Sequence, residues 1–499
     1  MRRRSPLVGT VSLALAAVAL LLGGCRKSEA DALDVAVIGS GPLTLGDALA
    51  PTSSEAQAVM RTNLAQGLVR FDGAGQVEPG LAERWNVSDD GLSYIFRLAA
   101  GAWPDGRKIM ARDVARILKR QMRATRGSAT REALGAVEDV VAMTERVIEI
   151  RLAAPRPHLL ELLAQPDFAL IREGVGSGPF RPRAPDTTGP RVATSPLRLT
   201  RVLPGLDGEA GAREEVTLRI MATAPALAAF RNGTLDLVLG GTLSDLPLAI
   251  RTKLPRGALR FDPASGLFGL VPGRRDGPLA EPEVRRLLSE AIDRDALVAA
   301  LGVPGLGPRA TILQAGLEGV ADPVQPLWLA QPWAERRAAL EREAQRLFGA
   351  ADRPRLSVAL PDGPGGDLLF ARLAADWRAI GLVVDRAAPG AVADLKWLDA
   401  VAPSTSPAWF LRQFRCTQTP ICAAEADVLL ASARAAPDAA QRGALLGQAA
   451  ALIDEASLFI ALAAPIRWSL VGDRATGYQD NRFTRHSLAD ILRRAPRGF

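Results

Sequence analysis

The sequence predicts an α/β chain folded as two lobes, and three observations carry that expectation. One βαβ pattern occupies residues 216–240, with Val216–Met221 as strand, Pro225–Phe230 as helix, Asn232-Gly233 as turn and Leu235–Leu239 as strand. A second lies far downstream. There Leu356–Leu360 reads as a strand, Leu369, Leu373, Trp377 and Ile380 line a helix, Gly381 stops it, and Leu382–Val384 is the next strand. The third observation is size and composition. A chain of 499 residues has room for about three domains, and 48% hydrophobic with 23% charged residues is ordinary globular usage. Two such lobes place a ligand in the cleft between them.

The first thirty residues set the compartment. Arg2-Arg3-Arg4 form a positive n-region, and Leu7 to Leu22 form an apolar run of signal-peptide length. The run ends in Leu22-Gly23-Gly24-Cys25, small residues before a thiol that can carry a diacylglycerol. This resembles a bacterial lipobox, with 1–24 removed and Cys25 lipidated. A spanning anchor is the competing reading, but it wants about 20 uninterrupted apolar residues. An acylated chain is held on the membrane surface.

The remaining elements follow in order. Asp34–Ile38 is a strand followed by Gly39-Ser40-Gly41, which imitates the opening of a dinucleotide fingerprint. Position 44 is Thr44 where the third glycine belongs, and no second strand ends in an acid at the right distance. Residues 55–69 suit a helix. Leu92, Tyr94, Phe96 and Leu98 alternate as a strand does, and Trp103-Pro104-Asp105-Gly106 is a turn. Asp113 opens a helix with Val114, Ile117 and Leu118 inside; Val137–Val141 and Val147–Leu152 are short strands. Val284, Leu287, Leu288, Ala291 and Ile292 make the clearest amphipathic helix, and Leu340, Ala344, Leu347 and Phe348 make another.

Charge and motifs exclude several functions. With 61 basic and 54 acidic residues the net charge is +7; loss of Arg2, Arg3 and Arg4 leaves 58 against 54, or +4. The signs alternate without a basic block, so nucleic acid is not expected as a partner. The chain has 2 histidines, His158 and His486, which read as surface or packing residues. No H-E-x-x-H, G-x-S-x-G or phosphate-loop motif is present. No metal or other cofactor is expected, and no enzyme. An exported hydrolase would need a catalytic pair assembled only in three dimensions. Besides Cys25, 2 of the 3 cysteines remain, Cys416 and Cys422, and an exported compartment permits their disulfide. So short a loop adds about 2 kcal/mol in the chain-entropy account.

Several segments resemble, in order, the family 5 extracellular solute-binding proteins, the peptide- and nickel-binding components of ABC importers. They are Leu64-Ala-Gln-Gly67-Leu68-Val-Arg-Phe-Asp72, Pro79-Gly-Leu81-Ala82-Glu83-Arg84-Trp85, Ser88 to Leu98, Trp103 to Gly106, and Ala111-Arg112-Asp113-Val114. Gly176-Ser177-Gly178-Pro179-Phe180, Asn232 to Asp236, Val284 to Arg294 and Ile380 to Val384 continue the order. The resemblance implies a two-lobe, class II periplasmic-binding-protein-like fold of the large type, with an inserted subdomain and a hinge. Its divisions would be lobe I at 31–50, 177–262 and 457–499, the inserted subdomain at 51–176 and lobe II at 263–456. It also implies a monomer in the cell envelope that captures a peptide-like solute and delivers it to importer permease subunits.

Peptide binders of that family hold the peptide amine with an Asp in a Trp-x-x-Asp-Tyr-x-Asp-Pro segment. The comparable stretch here is Leu395-Lys396-Trp397-Leu398-Asp399-Ala400-Val401-Ala402-Pro403, one residue short and without the Tyr and second Asp. Asp399 is either the amine anchor or a solvated loop acid, and Trp397 either a pocket wall or a packing residue. Thr44 is a further candidate, because the first strand of the family runs towards the cleft. The departures at 397–403 keep open a member whose pocket has degenerated into a sensor or scaffold.

Overall fold

The computed structural model describes residues 32–124, 134–183, 192–193, 195–204, 210–349, 354–436 and 438–492; Cys25 and the apolar run before it lie outside them. β1 (Leu33–Ile38) is almost wholly buried. α1 (Glu55–Leu64) is capped by the Ser54 side chain, which accepts the Gln57 N–H. It stops short of the expected residue 69 because Ala65 turns extended and Gly67 runs against backbone, where a Cβ would lie 2.6 Å from the Leu163 carbonyl oxygen.

Next come β2 (Ala82–Val87), β3 (Ser93–Leu98), α2 (Ala111–Arg123), β4 (Val137–Ala142) and β5 (Val147–Leu152). The strands form an antiparallel sheet in the order β2-β3-β5-β4. Tyr94, Phe96 and Leu98 point inward from β3 and meet Val114 and Leu118 of α2, the alternation read from the sequence. With α3 (Leu159–Leu163) this forms an arm with its own core.

The chain then supplies β6 (Leu197–Pro204), β7 (Ala210–Met221), α4 (Thr223–Arg231), β8 (Leu237–Gly241) and β9 (Leu259–Phe261). It crosses to β10 (Gly266–Pro272), α5 (Pro282–Glu290), α6 (Arg294–Leu301), α7 (Trp333–Phe348), β11 (Arg355–Ala359), α8 (Pro364–Ala379) and β12 (Val383–Ala387). β13 (Leu395–Val401), α9 (Pro407–Arg412), α10 (Ala424–Ala435), α11 (Ala439–Glu455) and β14 (Ile460–Ala461) complete the second lobe, and β15 (Trp468–Val471) returns to the first.

The first lobe holds a seven-stranded sheet, Arg181–Pro182 then β6-β7-β1-β8-β15-β9; the second holds β12-β11-β13-β10-β14. β1 lies between β7 and β8, parallel to both, with Val35 opposite Leu218 and Leu237. The upstream βαβ unit therefore brackets β1. The downstream unit pairs directly, with Leu356 opposite Val384. Trp377 of α8 is fully buried and donates its Nε1–H to the Leu288 carbonyl at 3.0 Å.

The amphipathic run from Val284 is interrupted. α5 ends at Glu290 with Ala291 as its cap, and Asp293 caps α6 by accepting the Ala296 N–H. Ala291 and Ile292 are buried all the same, so hydrophobic periodicity passes through a break in the backbone helix. The return to the first lobe also lies beyond residue 457, since Ile460 pairs with Leu270 of β10.

The two crossings, 262–265 and 462–467, run side by side. The Asp262 N–H donates to the Arg467 carbonyl at 3.1 Å, and the Leu462 N–H to that of Phe268 at 3.0 Å. Two short antiparallel segments are the geometry of a hinge.

In the second lobe, Asp454 at the end of α11 is half-buried, and its Oδ1 accepts the Ile312 N–H at 2.8 Å. Burial pushes its carboxyl up to about 7. The folded-state value lies above the unfolded one, so the folded chain holds an extra proton between about pH 4 and about pH 7. Stability should therefore fall as pH rises through that window and level off above it. Asp454→Asn should be more stable than wild type at about pH 8 by a few kcal/mol, the gap closing towards about pH 4. Denaturant titrations across pH check this; parallel curves for the two proteins would refute it.

Candidate functional site

Trp397 and Asp399 are two residues apart on β13 and so share a face. That face meets the core that joins the two sheets. The Trp397 ring packs edge-on against Phe268, with centroids 4.6 Å apart at 82°. Trp397 is thus at least a packing residue. Asp399 meets Arg467 from the returning crossover. Arg467 Nη1 donates to Asp399 Oδ2 at 3.0 Å and lies 2.9 Å from Oδ1. Burial raises the Asp399 carboxyl above the usual range, opposed by the charge and hydrogen bond of Arg467. Asp399 is neither a solvated loop acid nor an unpaired anchor. It is the counter-ion of a residue whose importance no local spacing revealed.

The loop after β13 reaches the arm. The Thr405 N–H donates to Glu161 Oε2 at 2.8 Å, and Thr405 Oγ1 lies 3.0 Å from His158 Nδ1. Gln165 Nε2 donates to the Pro403 carbonyl at 2.7 Å. Arg434 of α10 adds a bond to the Gly135 carbonyl at 2.6 Å. Arm and second lobe are therefore in contact across the cleft. His158 belongs to this contact. His486 packs elsewhere, stacked on Tyr478 with its Nε2 3.0 Å from Asp262 Oδ2 beside the hinge.

A cavity of about 270 Å³ lies beside this contact, bounded by the start of α3, the start of α9, and α10 and α11. Four arginines line it: Arg156, Arg412, Arg434 and Arg442. Burial and the charges of the other three lower Arg156 to about 10. It stays a cation at neutral pH. Because the four come from four separate segments, sequence spacing gave no sign of them.

Thr44 is not part of this arrangement. Leu43–Thr44 pairs with Val192–Ala193, and Thr44 Oγ1 accepts the Gly46 N–H at 3.0 Å. It lines a separate cavity of about 460 Å³ with Asp47, Arg120 and Glu173, all from the first lobe and the arm. Cys416 and Cys422 are joined as a disulfide with their Cα atoms 5.0 Å apart, closing the loop between α9 and α10.

The sequence profile of the bacterial extracellular solute-binding proteins, family 5 Middle, matches residues 76–386, more than half of the chain. The chain belongs to this family. Its members bind solutes and are not enzymes. Among curated relatives, a Pseudomonas aeruginosa (strain UCBPP-PA14) protein described as a probable di/tripeptide-binding protein is 26% identical over 96% of this chain and 97% of its own length. Haemophilus influenzae OppA, solved in complex with RPPGFSPFR, superposes with a TM-score of 0.76 at 16% identity, covering 92% of this chain and 98% of that one. The Escherichia coli murein tripeptide binding protein MppA gives 0.75 at 17% identity, over 92% and 98%. Both share the two-lobe fold of this solute-binding protein.

The ion pair at the hinge is testable. Asp399→Ala strands the Arg467 charge and should cost roughly 2–3 kcal/mol, below the range for fully buried pairs because Arg467 reaches solvent. Asp399→Ala with Arg467→Met should recover most of that loss in denaturant unfolding. Equal losses in the single and double variants would remove the pair as the cause.

Proposed function

We propose that this solute-binding protein captures a peptide-like solute in the cleft between its lobes and presents it to the membrane subunits of an ABC importer. The observation that carries the reading is family membership combined with a two-lobe fold whose arm and second lobe meet across the cleft. The names of the relatives supply the solute class: di- and tripeptides for one, a nonapeptide complex for another. Binding favours whichever lobe arrangement contacts the solute better, so capture and closure are one equilibrium. Lipid attachment at Cys25 is part of the proposal and would keep the protein on the membrane surface near its importer.

In this reading Trp397 walls the cleft beside Phe268, and Asp399 faces the solute at the hinge. An incoming amine would share the carboxylate with Arg467, so Asp399 is a weaker amine anchor than an unpaired acid. The same pair supports a second reading, in which Arg467 has permanently taken the place of a ligand amine and the cleft senses or scaffolds.

Native mass spectrometry of the soluble chain, with a thermal-shift screen of di- to pentapeptides, tests the proposal. A co-purified peptide or a dose-dependent rise in melting temperature is expected, since ligand bound only to the folded state stabilises it. An unshifted, empty protein would refute peptide capture. N-acetylated peptides separate the two roles of Asp399: weaker binding assigns it the amine, and equal binding leaves it to Arg467. For the anchor, Cys25→Ser should block acylation and leave unprocessed precursor on a gel; normal maturation would sink the lipid attachment.

A further inference from the structure

The cavity between arm and second lobe carries a charge arrangement that packing alone does not explain. Arg156 lies just before α3 in the arm. Arg412 ends α9, Arg434 is in the last turn of α10 and Arg442 in the first turn of α11. All four line one cavity of about 270 Å³. Like charges gathered at a partly desolvated site repel. The described lining contains one carboxylate, on Glu318, whose side chain is 70% exposed and lies 4.0 Å from His158. Glu161 stands behind His158, engaged by Thr405.

The hydrogen bonds that Arg156, Arg434 and Arg442 donate do not resolve their charge. Arg156 Nη1 donates to the Pro155 carbonyl at 2.9 Å, Arg434 Nη2 to the Gly135 carbonyl at 2.6 Å, and Arg442 Nη2 to the Ala436 carbonyl at 3.2 Å. Each of these acceptors is neutral. The Nε atoms of Arg156 and Arg442 are buried without a hydrogen-bond partner, a costly state for a guanidinium donor. Planar donor forks around a small cavity suit bidentate capture of carboxylate or phosphate oxygens.

We propose that this cavity binds an anionic group of the solute, carboxylate or phosphate, and that the anion bridges the arm to the second lobe. The proposal rests on the solute-capture reading and narrows it to acidic solutes. One arginine comes from the arm and three from the opposite lobe, so closing the empty cleft concentrates repulsion that a bound anion removes. Anion binding and closure are thereby coupled.

Isothermal calorimetry on the full soluble chain tests this with citrate, inorganic phosphate and Glu-Glu as probes and N-acetyl-Ala-Ala-amide, which has no carboxylate, as the neutral control. At least one anionic probe should bind with an affinity that falls as salt rises. Arg156→Gln and Arg442→Gln should each weaken it at least about tenfold. The ligand-free melting temperature of those variants should stay equal to wild type or rise, because a repulsive charge is removed; a merely structural arginine would lower it. The pattern among citrate, phosphate and Glu-Glu distinguishes the source of the anion. Failure of all three to bind wild type overturns the proposal. So does binding that both variants retain in full. If peptides with and without a carboxylate bind wild type and both variants alike, solute capture stands and the anion cavity falls.

Discussion

Everything that could move in this protein hangs on two crossing segments, 262–265 and 462–467. They are held to each other by the backbone hydrogen bond from the Asp262 N–H to the Arg467 carbonyl, and to their surroundings by charged side chains. Asp262 accepts the Asn481 N–H at 2.9 Å and meets His486, while Arg467 reaches into Asp399. A hinge of polar contacts differs from a hinge of packed side chains. Its bonds are directional, and they survive a small rotation of one lobe only if both partners lie close to the axis. Here both ion-pair partners do: Arg467 is in the crossover itself, and Asp399 is on the strand that abuts it. The charge expected to greet a ligand is built into the axis on which the lobes turn.

That placement explains why the fold was legible in the sequence and the site was not. Periodicity reports what one segment buries. It identified β3 through Tyr94, Phe96 and Leu98, α8 through Leu369, Leu373 and Trp377, and the stop at Gly381, where φ is +91°. It failed where a buried face outlasts its helix, as at Ala291 and Ile292. Their side chains stay in the core while Asp293 starts a new helix. It also could not show that β1 slots between β7 and β8, because pairing order is decided by tertiary packing. The family resemblance brought the two-lobe arrangement that no single segment contains.

Site residues are harder because their partners are distant in sequence. Asp399 and Arg467 are separated by 68 positions, and Gln165 and Pro403 by 238. Reading 397–403 alone leaves Asp399 as an anchor or a solvated acid, and the structure makes it an ion-pair partner. Thr44 sits apart from Asp399 for a local reason. Its hydroxyl oxygen accepts the Gly46 N–H, and Leu43–Thr44 pairs with Val192–Ala193. His158 reads as a bystander in its Pro-His context, yet it stands where the arm touches the second lobe.

The arginines bear on the balance between open and closed arrangements of the lobes. A binding protein that closed unaided would hide its cleft from solute. One device against that is an energy penalty confined to the closed state. Arg156 on the arm contributes little repulsion while far from α10 and α11, and the most when the arm docks beside Arg434 and Arg442. The contacts at Thr405 and Gln165 favour docking, so the balance between these hydrogen bonds and the like charges sets the empty population. To shift a two-state equilibrium from mostly open to mostly closed, a ligand must prefer the closed form by about 5 kcal/mol. Cancelling a repulsion that exists only on closure is a direct source of such a preference, because the same anion gains far less from arginines held apart. If the proposed anion site holds, specificity lies less in Asp399, whose charge is already matched, than in the cavity where Arg156, Arg434 and Arg442 donate to neutral carbonyls.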